Sequence, residues 1–245
     1  MDLRDKVAVV TGGTSGLGAS IAESLLIAGA HVTCAARREH HFTSIAQLSP
    51  ARARYAPVDI LDRHSIDDLF AGVVAEFGRV DIVVANAGIT NDGLIETIDP
   101  DDWRAVIDTN VTGTFNCIQS ALPHLPNGTG RIIIVSSALS TRPSVGASAY
   151  CVSKAALDML TKVCAEETAE RGITVNAVAP GFIDTGMGQR LTSNDIAWDE
   201  VSPRLLSNRK GAGHEIGDSV RFLASHRGNY INGHVLEVNG GLRWS

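Results

Sequence analysis

Three side chains have the types and spacing to move a proton onto a carbonyl oxygen. Tyr150 and Lys154 are four residues apart in a stretch with helical periodicity, so a helix stacks them on one face. Ser137 stands thirteen residues before Tyr150, just past an apolar run that reads as a strand. Reducing a carbonyl needs this combination: negative charge grows on oxygen, and a proton must be delivered there. A free phenol titrates at about 10, too high for ready exchange near neutrality. A neighbouring ammonium stabilises the phenolate and lowers that value. Ser137 would hold the substrate oxygen by a hydrogen bond. A Tyr/Lys pair on its own also fits a solvated helix surface, so the elements that carry these residues must decide.

The chain alternates short apolar runs with longer helical patterns. Val7–Thr11, His31–Ala36, Ala53–Val58, Val80–Ala85, Arg131–Ser136, Thr174–Ala179 and His234–Val238 read as seven strands. Gly16–Ala28, Asp62–Phe77, Asp102–Leu122, Ser148–Arg171 and a stretch near His214–Ala224 read as helices, with stops at Gly29, Gly78, Pro123 and Gly172. Strands that are apolar on both faces and separated by helices predict a parallel sheet covered on both sides. The expected fold is therefore α/β: a single doubly wound Rossmann-type domain over residues 1–245, with a seven-stranded parallel sheet. Ligands in such a fold bind beyond the carboxyl ends of the strands.

The first strand opens onto a turn rich in glycine. Gly12, Gly16 and Gly18, with Thr14, Ser15 and Leu17 between them, permit close backbone approach. The helix that begins there presents free N–H groups to a diphosphate. Strand two ends at Ala36, where a carboxylate would hydrogen-bond the ribose hydroxyls of NAD(H). Arg37 and Arg38 come next instead, and a guanidinium fork suits a 2′-phosphate. Ser15 would add a hydroxyl donor. The reading is NADP(H), with NAD(H) as the alternative. Lys154 then has a second task, donating to the nicotinamide ribose.

The T-G-x-x-x-G-x-G turn, the Ser137/Tyr150/Lys154 set and the segments after the other strands resemble the short-chain dehydrogenase/reductase family, and within it ketoreductases of the 3-oxoacyl-[acyl-carrier-protein] reductase kind. The likeness runs from about Lys6 to Leu242. It implies that Asp59 and Ile60 read the adenine, and that Asn86, Ala87 and Gly88 lie along the cofactor ribose and brace the sheet. It implies that Asn110 completes an Asn–Ser–Tyr–Lys tetrad by holding a relay water. Pro180, Gly181, Ile183 and Thr185 would meet the nicotinamide carboxamide. Residues 186–213 would cover the substrate, with Met187, Leu191, Ile196 and Trp198 as an apolar lid, or with Arg190, Arg204, Arg209 and Lys210 meeting an anionic carrier. Leu139, Ser140, Pro143–Ser148 and Asn91–Leu94 would form the other walls. A homotetramer is implied, built through the Trp103–Leu122 and Ser148–Arg171 helices, with Leu242 and Trp244 at a second interface.

Composition narrows the partners. With 21 basic and 27 acidic residues the net charge is −6, which disfavours nucleic acid or an anionic membrane surface. The longest early apolar run, Val7–Val10, is too short for a signal core or a membrane span. Cys34, Cys117, Cys151 and Cys164 form no C-x-x-C pair and no metal spacing. Free thiols, a cytoplasmic location and no metal are expected. The reading is an NADP(H)-dependent oxidoreductase that reduces a small-molecule ketone, of 3-oxoacyl or polyketide-like type and free or carrier-bound, to a secondary alcohol. Its rivals are an NAD(H)-linked sugar, polyol or alcohol dehydrogenase and a cofactor-sensing protein without catalysis.

Overall fold

Seven parallel strands form the centre of the computed structural model, which describes residues 2–193 and 195–243. Side chains at 190–192 and 195–197 are outside that description, so expectations resting on Arg190, Leu191, Ile196 and Trp244 lie outside the described residues. The strands are β1 (Val7–Thr11), β2 (His31–Ala36), β3 (Ala53–Pro57), β4 (Ile82–Ala85), β5 (Arg131–Val135), β6 (Thr174–Pro180) and β7 (Val235–Val238). Their order is β3-β2-β1-β4-β5-β6-β7, so the direction of winding reverses between β1 and β4. That reversal opens the crevice where a doubly wound sheet takes its ligand.

The helices are α1 (Gly16–Ile27), α2 (Phe42–Leu48), α3 (Arg63–Phe77), α4 (Pro100–Ile107), α5 (Gly113–Ala121), α6 (Ser148–Thr168), α7 (Gly186–Thr192), α8 (Asp195–Val201) and α9 (Gly213–Ala224). Helices α3, α5 and α6 bury Phe70, Ile118 and Leu157 against one face of the sheet. Helices α1, α2 and α9 bury Leu25, Ile45 and Val220 against the other. Removing so much apolar area from water is the main force holding the layers together. Among the described residues, no helix is long and apolar enough to cross a membrane.

The structure departs from the sequence expectation in several places, among them the following. The stretch expected as one helix over Asp102–Leu122 is α4, a wide π turn over Asp108–Thr112, then α5, and Pro123 sits in a closing 3₁₀ turn. Strand β4 starts at Ile82 rather than Val80, because the buried Asp81 carboxylate turns to accept the Val7 N–H at 3.0 Å. Helix α2 has no counterpart in the sequence pattern. Its seven residues bury only Ile45, too little apolar pattern to read.

Candidate active site and nucleotide cleft

Thr11 ends β1 and locks it to the end of β4. Its Oγ1 accepts from the Asn86 and Ala87 N–H groups at 3.0 and 3.1 Å. Asn86 Nδ2 returns a bond to the Thr11 carbonyl at 2.9 Å. The bracing expected of Asn86–Gly88 is thus present, and Thr11 is a partner that sequence reasoning missed. A Cβ on Gly18 would overlap the Gly12 carbonyl oxygen and come within 2.6 Å of Asn86 Nδ2. Ser15, the residue before α1, makes no side-chain cap, so the first-turn N–H groups are left for another acceptor. A close-packed backbone cradle with uncapped donors fits a diphosphate.

Beside this turn lies a cleft of about 200 Å³ lined by Gly12, Thr14, Ser15, Arg37, Arg38, Asp59, Ile60, Ala87 and Gly88. Arg37 and Arg38 are exposed at its edge. Thr14 is fully buried and donates to the Arg38 carbonyl at 2.9 Å, so its side chain shapes the arginine loop. Asp59 Oδ1 accepts the Leu61 N–H at 3.0 Å, a turn that orders the cleft wall. His40, held at φ 41°, also faces the cleft and was not foreseen.

A second cleft, of about 400 Å³, continues past Leu17 and Asn86 to Ser137, Tyr150 and Lys154. Ser137 stands two residues past β5 in an extended conformation and its Oγ accepts the Leu139 N–H at 3.1 Å. The Ser137 hydroxyl is close enough to the Tyr150 phenol to favour its ionised form. Lys154 is only 3% exposed. Its Nζ donates to the Val135 carbonyl at 2.8 Å and lies 5.5 Å from the centre of the Tyr150 ring. A Cβ on Gly88 would sit 3.0 Å from Asn110 Oδ1 and 3.7 Å from Lys154 Nζ, so only glycine leaves that approach clear.

Burial dominates the electrostatics of both groups. Burial pushes the Tyr150 phenol up, and the Ser137 hydroxyl partly offsets that. Burial likewise pulls Lys154 down to about 8, opposed by the Asp158 charge. Desolvation disfavours the charged form of each group and dominates both.

Asn110 lies in the π turn with its amide fully engaged. Oδ1 accepts from Ile89 N–H at 2.8 Å, while Nδ2 donates to the Ile89 carbonyl and to Ser153 Oγ, both at 2.9 Å. Ser153 Oγ in turn donates to the Tyr150 carbonyl at 2.7 Å. The side chain therefore braces the loop after β4 to the helix carrying Tyr150.

Pro180, Gly181, Ile183 and Thr185 all line the larger cleft, as do Met187 and the unforeseen Phe182. Leu139, Ser144, Val145, Ala147 and Asp92 supply the remaining walls, whereas Ser140, Pro143 and Leu94 do not reach it. Trp198 packs with Phe182, Ala138, Leu205 and Leu242 instead of lying open over the cleft. Leu242 is 4% exposed and lines the cleft of its own chain, which corrects its expected place at an interface. Of the four cations expected to meet a carrier, Arg209 is paired with Glu215 and Lys210 lies 5.4 Å over the Trp198 ring.

Residues 6–196 match the family described as short chain dehydrogenase. The chain is 37% identical over 243 residues to the 3-oxoacyl-[acyl-carrier-protein] reductase FabG of Salmonella typhimurium, covering 99% of each. A short chain dehydrogenase from Burkholderia cenocepacia J2315, solved in complex with NADP, superposes with a TM-score of 0.91 at 34% identity, covering 99% of each chain. A blue fluorescent protein from a metagenomic library, solved in complex with NADPH, gives the same TM-score, identity and coverage.

Proposed function

The chain belongs to the short chain dehydrogenase family, and from that premise we propose that it is an NADP(H)-dependent oxidoreductase reducing a ketone to a secondary alcohol, with Tyr150 as the acid. The observation that carries this is the hydroxyl pair of Ser137 and Tyr150 beside buried Lys154, in a cleft continuous with the glycine turn. The backbone of Gly12–Gly18 would hold the diphosphate, Arg37 and Arg38 the 2′-phosphate, and Lys154 the nicotinamide ribose. When bound, NADPH supplies the hydride.

Ser137 Oγ orients the ketone oxygen and stabilises the charge that grows on it. Tyr150 stays a phenol while its surroundings are uncharged, because burial disfavours the phenolate. It is therefore protonated when the substrate oxygen needs a proton, and donates it along a short hydrogen bond. Lys154, as an ammonium, stabilises the phenolate left behind. Asn110 serves as the brace that keeps Ile89 and the Tyr150 turn in register.

The missing carboxylate at Ala36 and the paired arginines favour NADP(H) over NAD(H), and with it over an NAD(H)-linked polyol dehydrogenase. The complete Ser/Tyr/Lys set speaks against a sensor without catalysis. The cleft walls Leu139, Val145, Phe182 and Met187 suit a 3-oxoacyl or polyketide-like ketone. Delivery on an anionic carrier is the narrower reading, since Arg209 and Lys210 are already engaged. Four free cysteines fit the cytoplasm. Exposed Phe115 on α5 and Val152, Met159 and Val163 on α6 fit a homotetramer.

Tyr150→Phe tests the assignment. Turnover of NADPH with a ketone panel should fall by about 10³-fold while the NADPH Kd stays within about twofold. Retained turnover would reject Tyr150 as the acid.

A further inference from the structure

One carboxylate near the site takes no part in the proton transfer from Tyr150. Asp158 lies on α6 one turn beyond Lys154, on the same face of the helix. Ser136, next to the oxygen anchor Ser137, donates to Asp158 Oδ1 at 2.5 Å and lies 3.2 Å from the Lys154 carbonyl. The Lys154 ammonium meanwhile donates to the Val135 carbonyl. The last residues of β5 and the loop after it therefore grip both ends of one helical turn. The charge of Asp158 acts on Lys154 and opposes the effect of its burial.

We propose that Asp158, seated by Ser136, is a positioning residue for Lys154: its negative charge keeps the buried amine an ammonium, and the Ser136 bond fixes the helical turn that bears it against the end of β5. The inference rests on Tyr150 being the acid and Lys154 its ammonium partner. The geometry leaves little else to do this work. On α6 itself the other titratable groups beside Lys154 are Tyr150 and Cys151, and Cys151 acts on the phenol. The end of β5 brings Ser136 and Ser137, the π turn brings the neutral Asn110, and β6 brings Asn176, bonded to Ile231 and His234. Asp108 at the head of the π turn is exposed, and on α4 Asp101 and Arg104 pair with each other at the surface. Among the described residues, Asp158 is thus the charge that acts on Lys154.

Two variants separate charge from packing. Asp158→Asn keeps an acceptor for Ser136 and removes the charge. Ser136→Ala keeps the charge and removes the bond. Two readouts over about pH 6 to 10 apply: kcat/KM for a ketone with NADPH, and the NADPH Kd from fluorescence in the absence of ketone. Removing a negative charge makes the ammonium easier to deprotonate, so in Asp158→Asn both alkaline limbs should move to lower pH by about half a unit or more. Ser136→Ala should lower kcat by a few-fold and leave the limbs where they are. Asp158→Glu should restore the position of the limbs. Should Asp158→Asn fail to fold, Asp158→Ser takes its place as the uncharged variant. Limbs that coincide with the wild type in a folded uncharged variant would overturn the proposal, as would an equal shift in Ser136→Ala. If Tyr150→Phe keeps its turnover, the underlying reading fails instead, and the two failures are told apart.

Discussion

At the scale of single residues, the site sets function against stability. Lys154 is buried, and its pKa is pulled from 10.5 down to about 8. A lowered lysine pKa means the unfolded chain binds more protons than the folded one between those two values. The cost of burying the ammonium is therefore full below about pH 8 and is relieved as pH rises toward the unfolded value. Lys154→Met should abolish turnover yet raise stability at pH 7 by at most about 3 kcal/mol. The gain should shrink as pH rises from about 8 toward 10.5, which urea melts at two pH values would show. A gain independent of pH would point to packing alone. Cofactor choice is a second residue-scale matter. Arg37→Asp should lower the NADPH-to-NADH ratio of kcat/KM by about tenfold or more. An unchanged ratio would assign the 2′-phosphate to other groups.

At the scale of elements, the segment over 186–213 proposed to cover the substrate is tied at two ends. Gly186 opens α7 at φ 57° with its Cα against the glycine turn, so that a Cβ there would lie 3.1 Å from Gly16 Cα. Past that segment, Glu215 accepts the Ala212 N–H at 2.8 Å at the start of α9 and grips Arg209 through two bonds. Those bonds hold the Glu215 carboxyl down to about 2. A lowered carboxylate contributes stability above its unfolded value of 4.5 and loses it as pH falls toward 2. Glu215→Gln should cost about 0.5–1 kcal/mol at pH 7, since the pair is partly screened by solvent. The gap between variant and wild type should close on acidification. A gap that persists at pH 2 would mean that Glu215 acts through packing.

At the scale of the whole molecule, helices α5 and α6 are left half finished. Their inner faces hold Ile118 and Leu157 against the sheet, while Phe115, Val152, Met159 and Val163 are 44–59% exposed on the outside. Exposed apolar residues along two neighbouring helices fit a contact between copies of this chain. Since α6 also carries Tyr150 and Lys154, assembly would stiffen the helix that bears the proposed acid from behind. If the chain assembles as the proposed tetramer, Val163→Asp should shift the mass measured by light scattering to a smaller species without unfolding the chain. A wild type that runs as a monomer would remove the basis for this prediction.

The amino-acid sequence alone determined the layered α/β fold, the glycine turn and the Ser137/Tyr150/Lys154 set, because those depend on local periodicity and on the residues that stand after each strand. It also carried the missing carboxylate at Ala36, a local fact about one position. It did not show that Asp102–Leu122 breaks at a π turn, since widening one turn leaves the apolar pattern nearly intact. Nor did it show that Leu242 and Phe182 reach the cleft, or that Ser136 and Asp158 meet, because those contacts join segments distant in the chain. The direction of the Tyr150 and Lys154 shifts was likewise a tertiary outcome. Spacing shows which charges are neighbours, but only the packed structure decides how much water each one loses, and here that loss sets the direction of both shifts.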